Sequence, residues 1–163
     1  MTRLRANQGA SLTMAEVAAQ AGLSRQAVYL HFPDRAALLG ELVRSLDPPQ
    51  DPAVLAAAPS ARAALGTLVA RLAGGYPQAR PVARLLDGKA DWQDSRLAAC
   101  RQIAERFRDE GALSRHLSLG AAADLLWTLT SLAVWEDLVI GRGWPPDRYR
   151  SHVAYLAVSA LTK

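Results

Sequence analysis

Apolar positions recur at three- and four-residue intervals through most of this 163-residue chain, the spacing that lines them along one side of an α-helix. Near the start, Met14, Val17, Ala18 and Ala21 predict a first helix over 14–20, with Thr13 as its N-cap. Gly22 then stands where a turn needs positive φ or close helix approach. Ser24 caps a second helix over 25–30. Asp34 opens a third over 34–46, in which Leu38, Leu39, Leu42, Val43 and Leu46 keep helical spacing. Pro48, Pro49 and Pro52 end it, because proline cannot continue a helix. The chain therefore divides into a head, 1–47, and a body, 48–163.

The helical pattern resumes in the body. Ser60 caps a stretch with Leu65, Leu68, Val69 and Leu72 on one face, expected to close at Gly74 and Gly75, and 80–87 reads as a short helical piece. Residues 92–110 carry Leu97, Cys100, Ala104 and Phe107 on one side and Arg96, Arg101, Arg108 and Asp109 away from it, with Gly111 as the stop. Residues 118–141 predict one long helix with two apolar stripes: Leu125, Leu129, Leu132 and Val139, and Ala123, Trp127, Val134 and Leu138. A helix apolar on several sides must be covered on several sides. Residues 147–161, after Pro145 and Pro146, place Tyr149, Val153, Leu156 and Ala160 on one face. No strand is required, and the fold class is all-α.

Composition agrees with that class: half the chain is apolar, dominated by Ala and Leu. The net charge of +4 and pI near 9.7 are compatible with an anionic partner. Charge alone does not identify one, since in 1–47 the basic Arg3, Arg5, Arg25, Arg35 and Arg44 barely exceed Glu16, Asp34, Glu41 and Asp47. Cys100 is the only cysteine, so an intrachain disulfide and a cysteine-cluster metal site are excluded and a reduced, cytoplasmic setting is expected. The first eleven residues have no apolar run fit for a signal peptide. The apolar tract 119–140 is interrupted by Asp124, Glu136 and Asp137, and reads as a buried helix rather than a span.

The segment 13–39 carries the functional signal. Two short helices joined by a glycine turn, followed by Tyr29-x-His31-Phe32, form the layout that sets a second helix in the DNA major groove. The N-terminal end of such a helix, capped by Ser24, presents free backbone N–H groups that favour phosphate. Arg25 can pair with guanine O6/N7 and Gln26 with adenine N6/N7, and Ala27 admits a thymine methyl. Tyr29 and His31 offer a phenol and an imidazole to phosphate oxygens, and Arg35 adds positive charge at the next helix start. Val28 and Phe32 point inward, onto Val17 and Leu39. A bare amphipathic hairpin would explain A-G-x-S alone. The full string T-M-x-x-V-A-x-x-A-G-L-S-x-x-x-V-Y-x-H-F-x-x-R-x-x-L-L is far more specific.

That string closely resembles the DNA-binding head of the tetracycline-repressor (TetR) family of bacterial transcriptional regulators. The resemblance covers the first third by motif and the remainder by layout, including Gly111–Leu113, the segment 135–139 and the turn at 143–145. It implies a homodimeric, ligand-responsive repressor that binds double-stranded operator DNA. It further implies that helices 118–141 and 147–161 pair with their copies, placing Leu125, Leu129, Leu132, Tyr149, Val153 and Leu156 at the dimer interface. A small-molecule effector among the middle helices would then alter the spacing of the two heads. Family heads begin with a helix of about four turns, whereas only 1–8 precede Gly9 here. Eight residues make a marginal helix, so the expectation is a start upstream of Met1 or a degenerate head. In the latter case the chain is a dimeric sensor or interaction module that no longer binds DNA.

Catalysis finds little support. His31, His116 and His152 are scattered without metal-ligand spacing, and no cofactor, metal site, phosphate loop or nucleophile elbow is expected. Cys100 on an apolar helix face reads as an inert core thiol. Asp87, Asp91 and Asp94, flanked by Lys89 and Arg96, read as a solvated loop and cap. Trp92, Trp127, Trp135 and Trp144 fit core or dimer packing. If any lines an effector pocket, Trp92 or Trp127 is the choice, with Arg62, Arg96 or Thr128 as polar neighbours.

Overall fold

The computed structural model describes residues 13–15, 24–34, 37–38, 41, 52–83 and 92–162. Its helices are α1 (Arg25–His31), α2 (Pro52–Ala57), α3 (Ala61–Ala83), α4 (Trp92–Asp109), α5 (Leu119–Leu129), α6 (Leu132–Trp135) and α7 (Pro146–Leu161). A π-helical segment, Glu136–Gly141, follows α6 directly. The only strand-like feature among the described residues is an isolated antiparallel bridge between Leu113 and Thr162. The class is all-α.

Among the described residues two apolar clusters form. The larger unites Leu55 of α2, Leu65, Leu68 and Leu72 of α3, Ile103 and Phe107 of α4, Leu126 of α5, Trp135 of α6, and Tyr149, Val153 and Leu161 of α7. The smaller unites Met14 and Val28, with Phe32 and Leu38 packed on them. Burial of this kind, about 25 cal/mol per Å² of apolar surface, is what holds short helices that are marginal alone.

Three expectations about the body are corrected. Helix α3 does not close at Gly74 and Gly75 but runs 23 residues to Ala83, so the separate piece expected to start at Arg80 is its last turn; 84–91 lie outside the described residues. The reason is its buried stripe, which continues past Leu72 through Tyr76 and Ala79. Each glycine costs only about 1 kcal/mol of helix propensity, less than burying Tyr76 returns. Pro77 sits on the exposed side.

The predicted single helix 118–141 is broken. Helix α5, capped by the Ser118 hydroxyl on Ala121 N–H (3.1 Å), ends at Leu129. Ser131 turns extended (φ −73°, ψ 154°), and its hydroxyl accepts the Val134 N–H (3.2 Å) to start α6. Thr128 donates to the Asp124 carbonyl (2.8 Å) and Thr130 to that of Leu126 (2.7 Å), the local bonding by which hydroxyl residues bend helices. The path then widens through Glu136–Gly141, where Arg142 N–H reaches the Asp137 carbonyl (3.0 Å) and Trp144 N–H that of Leu138 (3.0 Å), across Gly143 at φ +67°.

Helix α2, which opens at Pro52, has no counterpart in the elements expected from the sequence, whereas the end of α4 follows them. Gly111 takes φ +68° and stops α4, with Ala112 and Leu113 N–H both donating to the Phe107 carbonyl (2.9 and 3.0 Å). One face of α4 also fixes the α2–α3 corner. Arg106 donates from Nη1 to the Leu55 carbonyl (2.5 Å) and from Nη2 to that of Ala58 (2.8 Å), while Glu110 Oε1 accepts the Ala61 N–H (2.7 Å). Gln102 donates to the Pro52 carbonyl (3.0 Å). The corner's orphan carbonyls and first N–H are thus satisfied by α4 and its end.

Arg106→Ala should therefore cost roughly 1.5–3 kcal/mol in urea denaturation, since two charge-assisted bonds onto carbonyls are lost. Arg108→Ala is the control. Its pair with adjacent Asp109 is more than half exposed, so the change should stay within about 0.5 kcal/mol. Equal effects would show that Arg106 does not fix the corner.

Candidate nucleic-acid interface

Helix α1 is built by three local devices. Ser24 at φ −70°, ψ 152° accepts the Ala27 N–H on Oγ (3.1 Å), and its carbonyl accepts from Val28 (3.2 Å). Phe32 closes the helix in extended geometry (φ −132°, ψ 110°), the conformation that the following Pro33 imposes on its predecessor. Asp34 Oδ1 then accepts the Ala37 N–H (2.8 Å), capping the turn that holds Leu38.

Val28 alone of the described α1 side chains is buried, at 4% exposure, and it meets Met14. Gln26, Tyr29, Leu30 and His31 are exposed, and Ala27 is half-buried. The expected inward pair is Val28 and Phe32; Phe32 is half-buried on the same cluster, but the partners named from the sequence, Val17 and Leu39, lie outside the described residues and Met14 and Leu38 appear in the cluster. Thr13 is exposed, immediately before helical Met14. Gly22, Arg35 and the side chain of Arg25 lie outside the described residues. Gln26, Tyr29 and His31, each exposed, can donate and accept hydrogen bonds around a short helix held by the contact of Val28 with Met14. His31 in the last turn sits where the helix dipole favours positive charge.

In the body, the residues chosen for an effector pocket are placed differently from one another. Arg96 is buried at 1% exposure and stacks over the Trp127 ring, its Cζ 4.7 Å from the ring centroid. Its Nη1 donates to the Trp127 carbonyl and to Thr130 Oγ1 (3.2 Å). Thr128 is exposed, with its hydroxyl turned back to its own helix, and Arg62 is exposed on α3. The Trp92 side chain lies outside the described residues. Sequence reasoning passed over Tyr76 and Thr130. The Tyr76 hydroxyl donates to the Thr130 carbonyl, and its ring meets Trp135 at 5.9 Å. Arg80 adds an ion pair to Glu136 (2.5 Å). The signal available was the cluster of hydroxyls at Thr128, Thr130 and Ser131.

Two residues assigned to a dimer interface are corrected. Tyr149 and Val153 are each 1% exposed within the single chain, packed in its own core, and a side chain already covered has no surface to give a partner. Leu129 and Leu132 are half-buried, while Leu125 and Leu156 remain exposed. Cys100 is fully buried. Burial pushes its thiol up to about 11, against smaller opposing effects of the Arg96 charge and a Thr130 hydrogen bond. Burial likewise raises the Tyr149 phenol, partly offset by Arg96.

The fold and this face define an all-helical chain whose N-terminal capped helix presents polar side chains on an apolar support. Residues 2–42, about a quarter of the chain, match the family model "Bacterial regulatory proteins, tetR family", so this segment is similar to the N-terminal part of those regulators. No curated protein matches the chain. Among the described residues, no His, Cys, Asp or Glu group could hold a metal ion, and no helix is long and apolar enough to cross a membrane.

The thiol supplies a direct check on the core. A raised folded value favours the neutral form, so its contribution to stability is complete below about 9 and is lost as pH rises towards about 11. Below pH 9 the folded thiolate fraction is about a hundredfold lower than the unfolded one. Iodoacetamide at pH 8.5 should label Cys100 rapidly in denaturant and at least tens of times more slowly in the native protein. Matching rates would mean that the thiol is not held in the core.

Proposed function

We propose that this chain is a TetR-like, DNA-binding transcriptional repressor acting as a homodimer. The observation that carries the reading is α1: a Ser24-capped helix that buries Val28 on Met14 and turns Gln26, Tyr29 and His31 outward, within a segment similar to bacterial tetR-family regulators. In this reading 1–47 is the DNA-binding domain and 48–163 the regulatory and dimerisation domain, a division placed at the proline-rich stretch 48–52. Arg25 and Gln26 read base edges, whereas Thr13, Tyr29, His31 and Arg35 position the head on phosphates. Any effector would act through the broken stretch around Trp127 and Thr130, where Arg96 and Tyr76 hold the helix ends.

A gel-shift series over increasing salt tests the DNA-binding part. Arg25→Ala should cost about 1–3 kcal/mol on the preferred site and relax its sequence preference. Tyr29→Phe or His31→Ala should weaken specific and random duplexes alike. Absence of any salt-dependent binding would instead favour a dimeric sensor or interaction module.

Self-association is tested separately. Leu125 (37% exposed) on α5 and Leu156 (49%) on α7 leave apolar surface on two helices that pack together, and an obligate helical interface would bury upwards of about 2,000 Å² in total. Leu156→Glu should convert a dimer into a folded monomer by analytical ultracentrifugation at micromolar concentration. Val153→Glu should unfold the chain, because its site is in the core. A wild-type monomer at that concentration would overturn the dimer.

A further inference from the structure

We propose that Leu30 is a specificity-determining residue that reads the C5-methyl of a thymine in the major groove. The inference rests on the DNA-binding reading above. Leu30 is 80% exposed, the most exposed large hydrophobic side chain among the described residues. Its place on α1 is not peripheral. At about 100° per residue, Gln26 and Leu30 lie roughly 160° and 200° round the helix from Val28, and so straddle the point opposite the buried face. They are one turn apart, about 6 Å along the axis. Whatever surface Gln26 addresses, Leu30 addresses beside it.

The surroundings of Leu30 select the partner. Tyr29 and His31 flank it in sequence and Gln26 precedes it by a turn, all three exposed and polar. A broad apolar partner would leave those hydrogen-bonding groups unsatisfied. What fits is a small apolar spot within a polar surface, and thymine offers one in the major groove, where the other three bases present hydrogen-bonding edges. Ala27, the residue assigned to a thymine methyl from the sequence, is half-buried and lies about 100° from Val28, off the outermost line. Leu30 is longer and points where Ala27 does not.

The test begins with a duplex selected from a random library by the full 163-residue chain, its affinity measured at fixed salt. Thymines are then replaced singly by uracil, which removes only the C5-methyl. Wild type should lose roughly three- to tenfold at one position of each half-site, as expected for one buried methyl. Leu30→Ala, whose thermal melt should match wild type because the side chain is exposed, should bind thymine and uracil duplexes equally and keep wild-type affinity for random DNA. If wild type ignores every replacement, or Leu30→Ala shows the same loss, Leu30 does not read a methyl and the DNA-binding reading stands. If no duplex is enriched over random DNA, the DNA-binding reading falls and this assignment falls with it.

Discussion

Arg96 places a guanidinium at 1% exposure within the helical body, where α4 meets the end of α5. A buried cation costs several kcal/mol unless its donors find acceptors. Here the acceptors exist because the helix opposite is broken: Trp127 and Thr130 contribute a carbonyl and a hydroxyl at the end of α5. The dependence is mutual. An unbroken helix would spend the Trp127 carbonyl on its own ladder, and without Arg96 and Tyr76 the end of α5 would leave polar groups buried without partners. The Trp127 ring over the guanidinium completes the enclosure.

From that break the rest of the C-terminal half follows. Ser131 restarts the chain in a new helical turn, which carries Trp135 under Tyr76. The π-helical segment then brings Glu136 to Arg80 at the far end of α3. Two non-α features within a dozen residues are thus pinned to one neighbouring helix by Tyr76 and Arg80. Local widening of this kind is common at functional sites, and it follows closely on the stretch through which an effector is proposed to act. At the opposite end of α4, Arg106 and Glu110 fix the corner at which the body begins. One helix therefore touches both the break and the entry.

In the described part of the head, 24–34, the determinants are local. Ser24, Pro33 and Asp34 each act within four residues of themselves, so start, stop and restart could be placed from spacing alone. The same holds for Ser60 and Gly111, whose cap and positive φ appear as expected. Reading failed where a local preference met a larger non-local one. Gly74, Gly75 and Pro77 favour stopping, but Tyr76 and Ala79 continue a buried stripe and the helix runs on. Thr128, Thr130 and Ser131 are individually tolerable in a helix, and only the donors supplied by Tyr76 and Arg96 make breaking there favourable.

Among candidate site residues the same division applies. The inward position of Val28 and the outward one of Gln26, about 160° from it, were legible, because a 3.6-residue repeat fixes relative direction on a single helix. His31, three residues after Val28 and about 60° from it, is exposed at the helix end, which the repeat alone does not give. Tyr149 and Val153 were misassigned to an interface, since periodicity identifies an apolar face without saying whether the chain's own core or a second molecule covers it. By itself, then, the sequence determined the helical class, the ends of α1, α4 and α7, and the inward position of Val28 on α1. Only the tertiary structure decided which apolar faces were already covered, where the long helix breaks, and that Arg96 faces inward, because each depends on a partner remote in the chain.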